Sequence, residues 1–197
     1  MLSRLTRALD KAGRAGATRR GLPIWLTEFG VQSVPDTLLG VSLARQAELR
    51  SLSESIAWHN PRVKAFSQYL LVDSPPRPGP LSGRYGGFES GLRTSAGDRK
   101  PAYAEFGLPL SVVRTGAGRV ALWGLVRRAD EATRVEVLTS DRGAAAKTAA
   151  TRPTDARGVW TAALPDRAGR TWRVRWTAPG GQVRTGPPIR AFTAPRG

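Results

Sequence analysis

Residues 24–30 have the sequence Ile24-Trp25-Leu26-Thr27-Glu28-Phe29-Gly30, an apolar run that ends in a carboxylate and a glycine. The run from Leu22 to Phe29 is short and rich in β-formers, which predicts a buried strand. Because burying an unpaired charge costs several kcal/mol, Glu28 needs either a structural partner, such as an arginine, or a function. In a parallel α/β sheet, ligands bind at the carboxyl ends of the strands, which is where Glu28 lies.

The residues around this strand predict an alternation of helices and strands up to residue 107. We expect helices at residues 2–12, 42–59 and 101–106, and strands at residues 22–29 and 63–72. In the second helix, Ser42 can cap the start, and Leu49, Leu52 and Ile56 form the inner stripe. Such alternation indicates a parallel sheet with crossover helices. Parallel strands are buried on both faces, so two strands cannot form a stable sheet and neighbouring strands are missing.

The hydrophobic pattern changes to a period of two from Leu108 onward. Short strands are expected at residues 119–126, 134–138, 159–164 and 171–177, with turn residues between them. Trp172, Val174 and Trp176 share one strand face, and we interpret them as a core stripe rather than an aromatic platform for sugars. This pattern predicts a small, immunoglobulin-like β-sandwich. The fold class is therefore α/β followed by all-β.

The composition excludes several classes of function. The chain has no cysteine and one histidine, so disulfide frameworks, thiol catalysis and Cys/His zinc sites are excluded. No apolar run is long enough for a membrane span, and the N-terminus lacks the apolar region of a signal peptide. The net charge of +16 permits a nucleic-acid binder, but the arginines are scattered singly. We favour a solvated, arginine-rich surface without specific nucleic-acid binding.

Several motifs, in order along the chain, resemble the C-terminal part of clan A retaining glycoside hydrolases with (β/α)8 barrels, of an actinobacterial type. Thr27-Glu28-Phe29-Gly30-Val31-Gln32 is similar to the motif of their seventh strand, and residues 66–73 are similar to the eighth. Further similarity covers Pro35-Asp36, Gln46-Ala47, residues 60–63, residues 87–92, residues 100–103, Phe106 and residues 120–127. Together these pieces span nearly all the chain from Leu22 onward.

The resemblance implies that residues 1–107 are the last two βα units of such a barrel and that residues 108–197 are an accessory β-sandwich. It assigns Glu28 as the nucleophile that forms a covalent glycosyl-enzyme intermediate. A retaining mechanism needs a second carboxyl about 5–5.5 Å away, which in these barrels is a glutamate after an asparagine. No Asn-Glu pair occurs here, and a whole barrel needs about 250 residues. We therefore expect the chain to be inactive alone and to require the missing N-terminal part of the barrel.

The resemblance also implies an oligosaccharide or polysaccharide substrate, an extracellular or cell-surface parent enzyme, and no metal or organic cofactor. Gln32, Gln68 and Asp73 are candidate substrate-binding residues, with turn or cap aspartate as the alternative for Asp73. Glu89 lies in a long loop, where a solvated carboxylate is expected. Two other functions stay open: a non-catalytic carbohydrate-binding or cell-surface module, and a basic nucleic-acid binder.

Overall fold

The first part of the molecule has the predicted alternation of helices and strands. The computed structural model describes residues 2–85, 87–116, 118–127 and 129–193. The elements are α1 (Leu2–Arg14), β1 (Ile24–Phe29), α2 (Leu43–Trp58), β2 (Val63–Gln68), α3 (Leu81–Arg84) and α4 (Pro101–Gly107). β1 and β2 pair in parallel, which confirms that arrangement, and α3 adds one turn to the long loop. A partial TIM barrel remains a prediction, because this sheet has two strands. Within the described ranges, no helix is long and apolar enough to span a membrane.

The ends of the helices follow the local sequence. Ser42 caps α2 as predicted, because its hydroxyl accepts a hydrogen bond from the Arg45 backbone N–H at 3.2 Å. Pro101 begins α4, where its missing N–H costs nothing because the first turn of a helix has no partner for that group. Both helices therefore begin where the sequence indicates.

The predicted inner stripe of α2 is wrong. Ile56 is 53% exposed, and Leu49 and Leu52 are only partly buried. The buried side chains of α2 are mostly polar and comprise Gln46, Ala47, Arg50, Ser51, Glu54, Ser55 and Ala57. Apolar periodicity identifies one face of a helix, but the neighbours decide which face is covered. Here α2 packs against α4, β2 and the first strand of the second part. Two of its buried polar groups find partners there: Ser51 bonds Glu105 of α4, and Arg50 bonds Gln68 of β2.

The described residues of the second part form a β-sandwich of eight strands. They are β3 (Leu110–Gly116), β4 (Arg119–Leu125), β5 (Arg134–Asp141), β6 (Lys147–Pro153), β7 (Val159–Pro165), β8 (Arg170–Thr177), β9 (Val183–Thr185) and β10 (Ile189–Arg190). One antiparallel sheet has the order β3-β4-β7, and the other has the order β10-β8-β5-β6 with β9 also paired to β8. The four predicted strands are present, and the sequence interpretation missed β3, β6, β9 and β10.

The two sheets share one apolar core. Trp172, Val174 and Trp176 are almost fully buried there, which confirms the predicted stripe on β8. Leu122 of β4 and Trp160 of β7 belong to the same cluster from the opposite sheet. Alternation along the strands therefore places one face of each sheet in the core.

Polar and charged side chains join the first part of the molecule, residues 2–107, to the sandwich. Glu105 of α4 is fully buried; one of its carboxylate oxygens accepts hydrogen bonds from the Ser51 hydroxyl and from the Leu110 backbone N–H. Glu54 of α2 forms salt bridges with Arg50 on its own helix and with Arg127 just after β4. The Glu105–Leu110 and Glu54–Arg127 contacts cross between the two parts, so the junction depends on paired polar groups as well as on apolar packing.

We predict that Glu105 makes stability depend on pH. Burial raises the pKa of Glu105 from 4.5 to about 8, so the folded chain binds a proton that the unfolded chain has lost over this range. The free energy of unfolding should therefore fall as the pH rises from about 5 to 8, by up to about 1.4 kcal/mol per unit. Glu105→Gln should remove most of this fall, as measured by urea unfolding at several pH values. Glu131 is exposed, so Glu131→Gln is the control and should keep the pH dependence of the unchanged chain. If Glu105→Gln has the same pH dependence of stability as Glu131→Gln, the prediction is contradicted.

We also predict that Gly124 cannot accept a side chain. A Cβ at this position would lie 2.4 Å from the indole ring of Trp160, which is buried on the neighbouring strand. Gly124→Ala should destabilise the chain by about 1–3 kcal/mol, because the packed indole has no space to move. Gly180→Ala is the matched control, since nothing lies within 4 Å of an added Cβ there. Equal midpoints of denaturant unfolding for the two variants would refute this packing.

Candidate active site

The candidate site lies at the carboxyl ends of β1 and β2, which are adjacent because the two strands run in parallel. Glu28 is exposed there, and no described residue donates a hydrogen bond to it or forms an ion pair with it. The strand is less buried than the sequence predicts, with Trp25 65% exposed. Among the described residues, β1 pairs with β2 alone, so one edge of β1 and much of its surface remain uncovered. Glu28 therefore bears no burial cost.

The three predicted substrate-binding residues are brought together by one short segment, residues 87–91, which we call the bridging segment. Gln32 donates to the Gly87 carbonyl at 3.1 Å, and Gln68 donates to the carbonyl of residue 90 at 2.9 Å. Asp73 accepts from the backbone N–H of residue 91 at 2.8 Å. All three side chains thus fix the backbone of the bridging segment beside the strand ends.

Lys100, the N-cap residue of α4, fixes the same segment. Its ammonium group is buried and lies 2.6 Å from an Asp73 carboxylate oxygen. It also donates to the Ser33 hydroxyl and to the Glu89 carbonyl, both at 3.0 Å. An ammonium has three N–H donors, so the charge and all three donors are satisfied. This lysine links the loop after β1, the loop after β2 and the start of α4.

Two further residues let the bridging segment approach β1. Gln46 of α2 donates to the carbonyls of Val31, Glu89 and Gly91. Gly30 follows β1, and a Cβ there would lie 2.5 Å from the Ser90 side chain. A larger residue at position 30 would push the segment away, so the glycine of the motif has a steric role in this fold.

Gln32 is held at both of its amide hydrogens. Besides Gly87, it donates to the Asp36 carboxylate at 3.2 Å, and Asp36 also accepts from the backbone N–H groups of Leu38 and Leu39. The intervening Val34–Pro35 bond is cis. The side chain of Asp36 thus organises the loop that follows this proline.

Glu89 is the residue that the sequence interpretation missed. We expected a solvated carboxylate, but Glu89 is 2% exposed and its Oε2 atom has no hydrogen-bond partner among the described residues. Burial raises its pKa, and the nearby carboxylates of Asp36 and Asp73 act in the same direction. No periodicity marks this loop, so only the folding of residues 87–91 onto the strand ends buries it.

Chemically, the site offers an accessible carboxylate, Glu28, beside a rigid polar network. The network engages Gln32, Gln68 and Asp73 internally, whereas Glu28 is open to solvent. Within the described ranges, no cluster of three His, Asp or Glu side chains could hold a metal ion. An exposed carboxylate beside a fixed backbone segment suits nucleophilic or acid–base chemistry.

We predict that Asp73 has a large structural effect. Asp73→Ala leaves the buried Lys100 ammonium without its counter-charge, which costs about 3–5 kcal/mol when one partner of a buried pair is removed. Asp98→Ala, on the exposed part of the same loop region, should change stability by less than about 0.5 kcal/mol. Thermal unfolding followed by circular dichroism measures both. Unchanged stability of Asp73→Ala would mean that Lys100 finds another partner or solvent.

No family model and no curated protein sequence matches the chain. Three similar solved structures are β-glucuronidases. One is Bacteroides uniformis β-glucuronidase 2 covalently bound to cyclophellitol-6-carboxylate aziridine, with a TM-score of 0.42 and 11% identity over 98% of this chain and 25% of that chain. Another is a Bacteroides uniformis β-glucuronidase with a TM-score of 0.40 and 13% identity over 98% of this chain and 24% of that chain. The third is an FMN-binding β-glucuronidase from Facaelibacterium prausnitzii L2-6, with a TM-score of 0.43 and 14% identity over 96% of this chain and 30% of that chain. The chain spans at most about a third of these proteins, and likeness at this level assigns it neither a family nor an activity.

Proposed function

We propose that the chain is the C-terminal portion of a retaining glycoside hydrolase, with Glu28 as its nucleophile. The observation that carries this proposal is the position of Glu28 at the carboxyl end of a parallel strand, exposed and without a hydrogen-bond or ion-pair partner among the described residues. Ligands of parallel α/β sheets bind at this edge. A carboxylate without local partners keeps its oxygen lone pairs free to attack an electrophilic carbon.

In the proposed reaction, a Glu28 oxygen attacks the anomeric carbon of the sugar as the bond to the leaving-group oxygen breaks. The leaving oxygen takes a proton from a second carboxyl group about 5–5.5 Å from the first. Water then attacks the anomeric carbon, gives its proton to that second group and releases Glu28. The sequence contains no Asn-Glu pair, so we place the acid/base in the N-terminal barrel portion that must complete the site.

The exposed surface of the two-stranded sheet supports this placement. Trp25 on β1 is 65% exposed. A parallel sheet is normally covered on both faces and flanked by other strands. We propose that residues 1–107 supply two βα units to a larger barrel and that residues 108–197 form its accessory domain.

The proposed roles of Gln32, Gln68 and Asp73 are indirect. Each bonds the backbone of the bridging segment, so we propose that they position residues 87–91 at the rim of the substrate site. Through this segment they would orient the sugar relative to Glu28. The parent enzyme would act on extracellular or cell-surface saccharides.

We predict that the chain alone does not hydrolyse aryl glycosides, because leaving-group protonation has no acid. In an enzyme restored with its N-terminal barrel portion, Glu28→Gln should lower turnover by roughly 10³-fold or more, because the amide cannot form the glycosyl ester. The exposed Glu131→Gln is the matched control and should retain activity. An activated fluorosugar should label Glu28, as identified by mass spectrometry of the labelled peptide.

Two results would contradict the proposal. One is full activity of Glu28→Gln in the restored enzyme, and the other is a label on a different carboxylate. Saccharide binding by the restored protein with neither turnover nor label would instead favour a non-catalytic carbohydrate-binding module.

A further inference from the structure

A second concave surface lies between the end of β2, α4 and β9. This cleft has a volume of about 760 Å³, within the range that small-molecule sites occupy. Four cationic residues line it, namely Arg99, Lys100, Arg127 and Arg184, and its described lining contains no Asp or Glu. The cleft therefore concentrates positive charge facing a space large enough for a ligand.

Two of these cations already have carboxylate partners. Lys100 is paired with Asp73, and Arg127 with Glu54. Arg127 is also fixed by a hydrogen bond from its Nε to the Phe106 carbonyl at 2.7 Å and by the Phe106 ring, 4.4 Å away. The Arg127 guanidinium is thus held in place with part of its surface, 31% of the side chain, still open.

The other two cations have no carboxylate partner among the described residues. The Arg99 guanidinium lies over the ring of Tyr103 at 4.8 Å. Arg184 on β9 donates from Nη2 to the Gln182 side chain at 2.9 Å, but its buried Nε has no acceptor in the described structure. A buried donor without an acceptor costs about 1–3 kcal/mol.

The remaining walls carry apolar and aromatic side chains together with the polar side chains of Gln68, Gln182 and Thr185. Leu70, Leu92 and Phe106 line the cleft beside the arginines. The planar guanidinium presents a fork of donors that matches the two oxygens of a carboxylate. A ligand suited to these walls has an anionic group for the arginines and a body with apolar faces, as a sugar ring has.

We propose that this cleft binds the carboxylate of an acidic oligosaccharide, with Arg184 as the main contact and Arg99 as a second one. The saccharide part of the proposal rests on the glycoside hydrolase function proposed above. The anionic part rests on Arg99 and Arg184, which line the cleft and have no carboxylate partner among the described residues. The cleft would then select charged glycans for the parent enzyme.

Calorimetric titration of the full 197-residue chain with trigalacturonate and with neutral maltotriose tests the proposal. Trigalacturonate should bind with a Kd at least about tenfold lower than that of maltotriose. Arg184→Gln should raise the trigalacturonate Kd about tenfold or more, and Arg99→Gln, on a separate wall, should also raise it. Arg119→Gln removes the same charge from an exposed position outside the cleft and should leave the Kd unchanged.

Equal affinity for the two saccharides would overturn the proposal. If Arg119→Gln weakens trigalacturonate binding as much as Arg184→Gln does, the proposal is also overturned, because binding would then reflect only the net charge of +16. The binding test needs no catalysis, and fluorosugar labelling of Glu28 needs no carboxylate in the cleft. The titration can therefore disprove anion binding in the cleft without bearing on catalysis by Glu28, and the labelling experiment can disprove that catalysis without bearing on the cleft.

Discussion

The buried ammonium of Lys100 is the constraint on which the candidate site depends. A charge removed from water must be paired and hydrogen-bonded, and Lys100 finds Asp73, Ser33 and the Glu89 carbonyl, which lie in loops far apart in sequence. Those loops follow the two parallel strands. Satisfying one lysine therefore draws both loops and the start of α4 together, and it fixes the bridging segment beside Glu28.

The need to pair buried polar groups also governs the contact between residues 2–107 and the sandwich. Glu54 forms salt bridges with Arg50 and Arg127, and Glu105 accepts hydrogen bonds from the Ser51 hydroxyl and the Leu110 backbone N–H. A buried face made of such groups is stable only while every partner stays in place, since an unpaired charge would keep the full cost of desolvation. These partners therefore fix how the first part of the molecule and the sandwich pack against each other. The proposed anion cleft borders it, sharing Arg127.

Local sequence was sufficient for most elements of the fold. Ser42 and Pro101 mark helix starts through backbone groups that need nothing distant, and Trp172, Val174 and Trp176 alternate along a strand whatever its neighbours are. The missed strand Lys147–Pro153 consists mostly of short or charged side chains and is largely exposed at a sheet edge. Its pairing with β5 supplies the order that its own composition does not indicate.

By itself, the sequence determined the alternation of helices and strands, the core stripe of the sandwich and the location of Glu28 at a strand end. Tertiary structure alone decided which polar residues are buried. It placed Glu89 inside and Glu28 outside, and it turned the polar face of α2 inward instead of Ile56. The reason is physical: periodicity is a property of neighbouring residues, whereas the burial of a charged group depends on partners that folding brings from distant parts of the chain.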